Sequence, residues 1–442
     1  MKNKFALFCA VSMLSLSLVT SAFASGEDNN LTLQDAVTKG ILTNPFYGVV
    51  ANDSLATREE LSQAKAQWMP SVDFLGETGY ERTDTPTIED ESLWRNRASL
   101  TLTQLLFDGN GVNSEIKRQK ARVESTANRV GEVAEFVGLD IVEAYLEVLR
   151  QRDLLAIARA NVEDHIKILE TIRTGAAAGT VTEGDVSQAL ARQAQARATA
   201  TSTEQALREA EALFIQKVGD TPGSMAFPDI PRDKLPESVE DAVRRSITNS
   251  PTLAIFESDI KVAEAEFEGS GSTLYPKVEL QANASVGNDL DGIDGSENRQ
   301  SLLAVMRWNL YRGGADQARQ REFMYRHAVS KERRAEASRG VEKNVRDTWA
   351  GMLAAAERAQ QFLEQANANE KVVGVYLDQF SLDRRTLLDV LDSQNELFVS
   401  RSSHVNSLYT EMFAVFRILA LEGQLLNTLG VQKPREAKVE MK

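Results

Sequence analysis

This chain of 442 residues contains an internal duplication, which limits the folds it can adopt. A helical segment that ends at Asn44–Pro45 is matched by one that ends at Ser250–Pro251, 206 residues later. Three further landmarks recur at spacings of 204 to 206 residues: Pro70 and Pro276, Gly109 and Gly313, and Asp185 and Asp389. Repeated landmarks in one order indicate two copies of a structural unit. The sequence therefore predicts a tandem repeat, with residues 25–218 in the first unit and 237–430 in the second.

Three segments lie outside the two repeats. Residues 1–24 combine two lysines, an apolar run and a small-x-small site at Ala22–Phe23–Ala24, which predicts a secretory signal peptide. Four prolines in residues 219–236 predict a linker between the repeats, and residues 431–442 form a charged tail. The single cysteine, Cys9, falls in the signal segment, so the exported chain must be stabilised by packing and assembly rather than by disulfides.

Each repeat contains a predicted pair of strands. Apolar and polar residues alternate from Val278 to Val286 and again from Leu302 to Leu310, and the outgoing strand of the first repeat shows the pattern less clearly. Polar loops are predicted between the paired strands, over Thr83–Ser92 and Asn288–Asn298. The aromatic residues Phe107 and Tyr311 end the returning strands, where a membrane-interface girdle would place them. A buried hairpin in a soluble domain is the alternative interpretation.

After Gly109 and Gly313 the chain continues in helical runs that are longer than ordinary globular helices. The proline-free runs extend from Val112 to about Thr174 and from Gly314 to about Phe380. Apolar residues from Ile141 to Leu169 recur at spacings of four, three or seven, which is typical of a coiled coil. Return helices are predicted over Asp185–Lys217 and Leu387–Leu429. A soluble coiled coil would show the same pattern, so the helices alone leave the function open.

The strand count constrains how the chain can assemble. Unpaired backbone groups at a sheet edge find no partner in lipid, and single-chain barrels begin at about eight strands. Four strands in a membrane would therefore require further copies of the chain. Three copies would close a 12-stranded β-barrel, continued by the long helices as a coiled-coil α-barrel. The predicted fold class is thus mainly α with a membrane β-barrel.

Two carboxylates mark the second hairpin tip. Asp389 and Asp392 lie three residues apart, so they share one face of a helix. Acidic residues also favour the positive end of a helix dipole, which is a purely structural explanation for them. In three copies the carboxylates would gather around the axis and repel one another. Such a ring can bind cations and select against anions, as acidic rings do in cation channels.

Composition and motifs disfavour several other classes of function. The net charge of −14 argues against a nucleic-acid partner, because phosphate binding needs clustered Lys and Arg. The three histidines, His165, His327 and His404, have no ligand-spaced companions, and no nucleophile elbow or phosphate-binding loop occurs. The acidic segment from Asp289 to Gly295 departs from the EF-hand spacing and is read as a solvated external loop. We expect no enzyme activity, cofactor or metal.

Together these features resemble the TolC family of outer-membrane efflux proteins. The resemblance covers about Leu31 to Leu429 and rests on the repeat, its two proline turns and three motifs: Leu106–Gly109, Leu310–Gly314 and Arg385–Asp392. Within the family, Arg385–Leu397 is most similar to the branch that serves type I secretion, including export of large repetitive adhesins. The resemblance implies a homotrimer in the outer membrane that spans into the periplasm. It also implies a periplasmic adaptor protein and an inner-membrane ABC transporter or proton-driven pump as partners.

The resemblance further implies roles for residues at the two tips. Asp389 and Asp392 match the family's constricting acid pair, while Arg385 and Asp185 match the links that hold the aperture closed. The adaptor would contact both tips, at Gly179, Thr180, Val181, Ser381, Leu382, Asp383 and Arg384. Asp383 occupies a turn position where the family commonly has glycine, so the second tip departs from the family pattern there.

Two other functions compete with a type I secretion duct. A drug-efflux duct served by a proton-driven pump would have the same architecture. A soluble periplasmic coiled-coil scaffold without a pore would share the long helices, but the alternating strands and their aromatic ends argue against it.

Overall fold

The computed structural model describes residues 30–382 and 384–438, so the predicted signal peptide and Asp383 lie outside the described residues. The first repeat contains α1 (Leu33–Thr43), α2 (Pro45–Ala66), β1 (Ser71–Thr85), β2 (Ile88–Phe107), α3 (Gly111–Ala177) and α4 (Glu183–Val218). The second contains α5 (Val239–Asn249), α6 (Pro251–Ser270), β3 (Lys277–Leu290), β4 (Ile293–Arg307), α7 (Ala315–Ser381) and α8 (Leu387–Leu421). A short helix, α9 (Leu425–Thr428), follows.

The two repeats match element by element. The long helices α3 and α7 contain 67 residues each, and α1 and α5 contain 11 each. The side chains that accept hydrogen bonds at the helix N-termini recur as well, in three pairs: Thr32 and Ser238, Asn44 and Ser250, and Thr182 and Thr386. The prolines that follow Asn44 and Ser250 occupy the first helical position, where a missing N–H costs nothing. The tandem repeat is therefore present in the structure at the predicted spacing.

The four strands form one antiparallel sheet in the order β1-β2-β3-β4. Its register places apolar side chains in rows across one face, for example Val72, Leu102, Ala282 and Leu302. Polar residues such as Asp73, Thr101, Asn283 and Ser301 form the matching row on the other face. Tyr80 and Trp94 face each other on the apolar side near the hairpin ends. The alternation read from the sequence thus yields one apolar and one polar face.

The predicted polar loops Thr83–Ser92 and Asn288–Asn298 are wrong for most of their length, because the strands continue through them. Paired backbones and cross-strand ion pairs, such as Arg95 with Glu77 at 3.0 Å, let polar residues occupy strands at this end of the sheet. The last strand is also shorter than predicted. It ends at Arg307 because its partner begins at Lys277 after Pro276, and Tyr311 lies beyond the sheet.

A tight turn joins each returning strand to its long helix. Gly109 and Gly313 both adopt left-handed backbone conformations, with φ of 68° and 61°. At Gly109 an added Cβ would lie 2.5 Å from the Cβ of Tyr275, so a side chain has no room there. This geometry explains why the glycine recurs in both repeats.

The main core lies where α1, α3, α4, α8 and α9 converge, around the buried Tyr145, Phe214 and Phe416. Most of the apolar α3 residues with coiled-coil spacing, from Ile141 to Leu169, are buried, although Val162 and Ile166 are only half-buried. The linker is docked on this core, because the Tyr145 O–H donates to the carbonyl oxygens of Leu31 and Ala226. No helix of the described chain is long and apolar enough to cross a membrane.

The C-terminal tail is also held against the repeats as far as the structure describes it. The O–H of Tyr47 donates to Glu436 at 3.1 Å, and Arg58 donates to the carbonyl oxygen of Lys438 at 3.0 Å. Val431 is buried. The tail therefore packs as part of the core domain and adds contacts to α2.

The hairpin tips as a candidate gate

Both return helices begin with the same reciprocal cap. The hydroxyl of Thr182 accepts from the backbone N–H of Asp185, and the Asp185 carboxylate accepts from the backbone N–H of Thr182 at 3.0 Å. Thr386 and Asp389 repeat the arrangement, at 3.3 and 3.2 Å. A Thr-x-x-Asp pair satisfies two otherwise unpaired N–H groups at a helix start. Asp389 therefore has a structural role as a capping residue, in addition to the favourable position near a helix dipole that the sequence indicated.

The cap also sets the charge state of Asp389. Hydrogen bonds from the side chain and backbone of Thr386, followed by the nearby Arg385 charge, hold the pKa of Asp389 below its usual range. The Asp389 side chain remains 39% exposed. It is consequently an ionised carboxylate at neutral pH that remains accessible to solvent.

Arg385 is held by its own hairpin in the single chain. Its Nη1 lies 3.8 Å from Oδ2 of Asp389, its Nε donates to Gln379 at 3.1 Å, and its guanidinium lies 4.2 Å from the ring centre of Tyr376. Asp185 is occupied by its cap with Thr182. Within one chain Arg385 therefore contacts Asp389 rather than Asp185, and the latch between hairpins stays a prediction.

Two polar contacts that the sequence did not reveal tie α8 to the first hairpin. Nη2 of Arg192, on α4, donates to Oδ1 of Asp392 at 3.0 Å. Nε2 of Gln394 donates to Oδ2 of Asp164, on α3, at 2.8 Å. The partners are 200 and 230 residues apart, so no spacing pattern links them. The basic side chain of Arg192 is no signal by itself, because α4 also contains Arg197 and Arg208.

A small apolar cluster lies beneath these contacts, and we call it the tip core: Ile168, Leu169, Ile172, Ala189, Leu387, Val390 and Leu391. It joins α3 and α4 to α8, so the acidic helix is seated on the first hairpin. The neighbouring His165 is buried, and its Nδ1 has no hydrogen-bond partner within the described chain. Burial first, and then the charge of Arg192, lower the pKa of His165.

The turns at the two tips expose the residues assigned to adaptor contact. In the first, Gly179 has φ of 77°, and the N–H of Thr180 donates to the Gly175 carbonyl at 2.9 Å, which leaves Val181 half-buried. In the second, Ser381 ends α7, Leu382 is 64% exposed, and the N–H of Arg384 donates to Gln379. Their role in adaptor binding stays a prediction, and Asp383 is outside the described residues.

The family model described as "Outer membrane efflux protein" matches residues 51–219 and 242–419, which is more than half of the chain. The chain belongs to this family. Its members are passive outer-membrane channels that extend into the periplasm and work with periplasmic adaptors and inner-membrane pumps. The chain is therefore an outer-membrane efflux channel and not an enzyme, which argues against the soluble scaffold.

Similar proteins cover nearly the whole efflux channel. The outer membrane efflux protein BepC of Brucella suis is 22% identical over 97% of this chain and 94% of its own length. TolC of Escherichia coli is 21% identical over 93% of this chain and 86% of its own. Among solved structures, the Campylobacter jejuni CmeC channel has a TM-score of 0.79 and 10% identity, covering 99% of this chain and 98% of that one. This likeness supports the TolC-like fold predicted from the sequence.

Proposed function

We propose that the chain forms, as a homotrimer, the exit duct of a tripartite export system that secretes proteins by the type I route. The main observation in support of a duct is that the two hairpin tips are related by the repeat and begin with the same helix cap. The second tip presents two accessible carboxylates on α8, which packs against the first hairpin. Its assembly, its gate and its cargo each rest on a separate argument.

The open sheet favours assembly with further copies. In the described chain β1 and β4 each pair on one side only, and one face of the sheet is apolar. Free edges have no hydrogen-bond partners in lipid, so β4 of one copy pairs with β1 of the next. Three copies close twelve strands, which lies within the range of known barrels.

The repeat also supports a specific site of contact between helices of neighbouring copies. Within one chain, α3 packs on α6, and Ser125 Oγ donates to Asp259 at 2.7 Å in that contact. The positions related by the repeat are Val329 on α7 and Asp53 on α2, which lie on helix faces that no other part of the described chain covers. These faces expose apolar side chains, namely Phe46, Val49 and Leu55 on α2 and Met324, Tyr325 and Val329 on α7. We infer that α2 of one copy packs on α7 of the next, as α6 packs on α3.

Disulfide cross-linking tests this assembly. Asp53→Cys/Val329→Cys is expected to give covalent trimers on denaturing gels after mild oxidation, because the exported chain has no other cysteine. The repeat-related control, Ser125→Cys/Asp259→Cys, joins residues within one chain and is expected to leave the monomer mass unchanged. Monomers from both variants, with the control shown to be oxidised by thiol counting, would contradict the interface.

The gate is proposed at the second tip. Asp389 and Asp392 form the acidic constriction, and Arg385 of one hairpin meets Asp185 of a neighbouring one as a latch. An exposed pair of this kind contributes about 0–1 kcal/mol, so binding of an adaptor at the tip turns can outweigh it. Opening is a helix shift between two states rather than a chemical step.

The cargo is inferred from the segment Arg385–Leu397, which is most similar to the type I secretion branch. Small-molecule efflux through a proton-driven pump is the second candidate, favoured by the name of BepC as an efflux protein. Deleting the gene and comparing secreted proteins with growth in the presence of drugs and detergents separates the two. Loss of one large secreted protein with unchanged tolerance supports type I secretion, whereas an unchanged secretome with lost tolerance supports efflux.

A further inference from the structure

We propose that Arg192 is a selectivity-determining residue of the channel, an inference that rests on the gate proposed above. Through its ion pair with Asp392 it compensates one of the two carboxylates at the aperture and holds α8 on the first hairpin.

The charges at the tip are compensated within each chain. The Arg192 guanidinium donates to Asp392 at 3.0 Å, and Arg385 lies 3.8 Å from Asp389. A ring built only of these carboxylates would carry strong self-repulsion, whereas a ring of ion pairs carries little. The aperture therefore presents alternating charge rather than a uniform acidic ring, and Arg192 decides how much of the Asp392 charge an ion in the pore meets.

The position of Arg192 also gives it a mechanical role. Its side chain is 31% exposed and lies one turn beyond Ala189, a member of the tip core, while Asp392 follows the fully buried Leu391. The ion pair thus bridges α4 and α8 at the margin of their apolar contact. The Asp164–Gln394 hydrogen bond makes a second bridge, from α3 to the same helix.

The repeat shows that this ion pair has no counterpart between copies. The positions related to Arg192 and Asp392 are Glu396 and Gln188, so the equivalent contact with a neighbouring chain can form no ion pair. The contact between hairpins of one chain and the repeat-related contact between hairpins of neighbouring chains therefore differ in charge. At this position the contact within a chain is strengthened by opposite charges and the contact between chains is not. Once the Arg385–Asp185 latch is released, separation of the chains is therefore favoured when the aperture opens.

The test is single-channel recording of the purified trimer in planar bilayers, with ion selectivity read from the reversal potential and block measured with La³⁺. Arg192→Gln is expected to increase cation selectivity and to tighten La³⁺ block about tenfold, because three Asp392 carboxylates lose their partners. Arg192→Lys, which keeps the charge, is expected to stay near wild type. Arg197→Gln is the matched control, since Arg197 is exposed on α4 and has no ion-pair partner in the described chain.

A double-mutant cycle decides whether Arg192 acts through Asp392. In an Asp392→Asn background, Arg192→Gln is expected to change selectivity and block much less than it does in the wild-type background. An Arg192→Gln channel indistinguishable from wild type and Arg197→Gln would overturn the proposal, as would an equal effect in both backgrounds. A wrong assignment of the gate would give a different result from a wrong role for Arg192. If the gate is not at Asp389 and Asp392, La³⁺ block is also insensitive to Asp389→Asn and Asp392→Asn.

Discussion

Oδ2 of Asp389 accepts from Oγ1 of Thr386 at 2.8 Å, so one of the two carboxylates proposed for the gate is also half of a helix cap. Replacing Asp389 by alanine would remove a pore charge and a cap together. Variants that separate these two roles are therefore the informative ones.

Thr386→Ala removes the hydroxyl half of the cap and leaves the Asp389 charge in place. Loss of a threonine N-cap costs about 1 kcal/mol, so we expect the first turn of α8 to fray and the aperture to open more often. Single-channel recording should show larger mean conductance with an unchanged reversal potential. Thr182→Ala, the repeat-related cap at the first tip, is the comparison. A changed reversal potential in Thr386→Ala would show that the hydroxyl contributes to selectivity.

Tyr145→Phe is expected to release the segment between the repeats. The Tyr145 O–H donates to the carbonyl oxygens of Leu31 at 2.7 Å and Ala226 at 2.5 Å, and losing a buried donor costs about 1–3 kcal/mol. Limited trypsin digestion should then cleave faster at Arg232 and Lys234. Tyr47→Phe, which loses a hydrogen bond to the tail instead, should leave this segment protected. Equal protection in both variants would mean that packing alone holds the linker.

The buried Glu422 is expected to make the free energy of unfolding depend on pH. Its side chain is buried, Oε1 has no hydrogen-bond partner in the described chain, and burial raises its pKa to about 7 against the opposing charge of Arg245. Between its ordinary pKa and this value the folded state binds more protons than the unfolded state, so stability falls as pH rises.

Glu422→Gln removes that penalty. We expect its midpoint of thermal unfolding to exceed that of wild type by about 2–4 °C at pH 8 and to match it near pH 4.5. Circular dichroism of the channel in detergent measures both, with Glu237→Gln, an exposed change just before α5, as the control. A constant difference across the pH range would show that titration of Glu422 is not the cause.

The sequence predicted the helical part of the fold well because proline and glycine mark its boundaries. Pro45 and Pro251 begin helices, and Gly109 and Gly313 occupy the left-handed turns before the long ones. It predicted the strands less well. The polar residues at the hairpin ends were predicted to form loops, yet they are strand residues because their backbones pair across the sheet. Ion pairs such as Arg82 with Asp90 accompany that pairing.

At the tips the sequence singled out residues whose functional roles stay predictions, and it did not reveal their contacts within the chain. The Thr-x-x-Asp pattern at Thr182 and Thr386 predicts a cap from local spacing alone. The Arg192–Asp392 pair depends on how two distant hairpins pack, and nothing local to either residue encodes it. The same holds for the pairing of Arg385 with Asp185, which would require contact between hairpins.

The most direct test of the acidic gate compares wild-type channels with Asp389→Asn/Asp392→Asn in planar bilayers. Asparagine keeps an oxygen that can serve the cap while removing the charge. We expect small, cation-selective openings with La³⁺ block in wild type, and in the variant a loss of selectivity with block weakened by about tenfold or more. Unchanged conductance, selectivity and block would contradict an acidic constriction at the second tip.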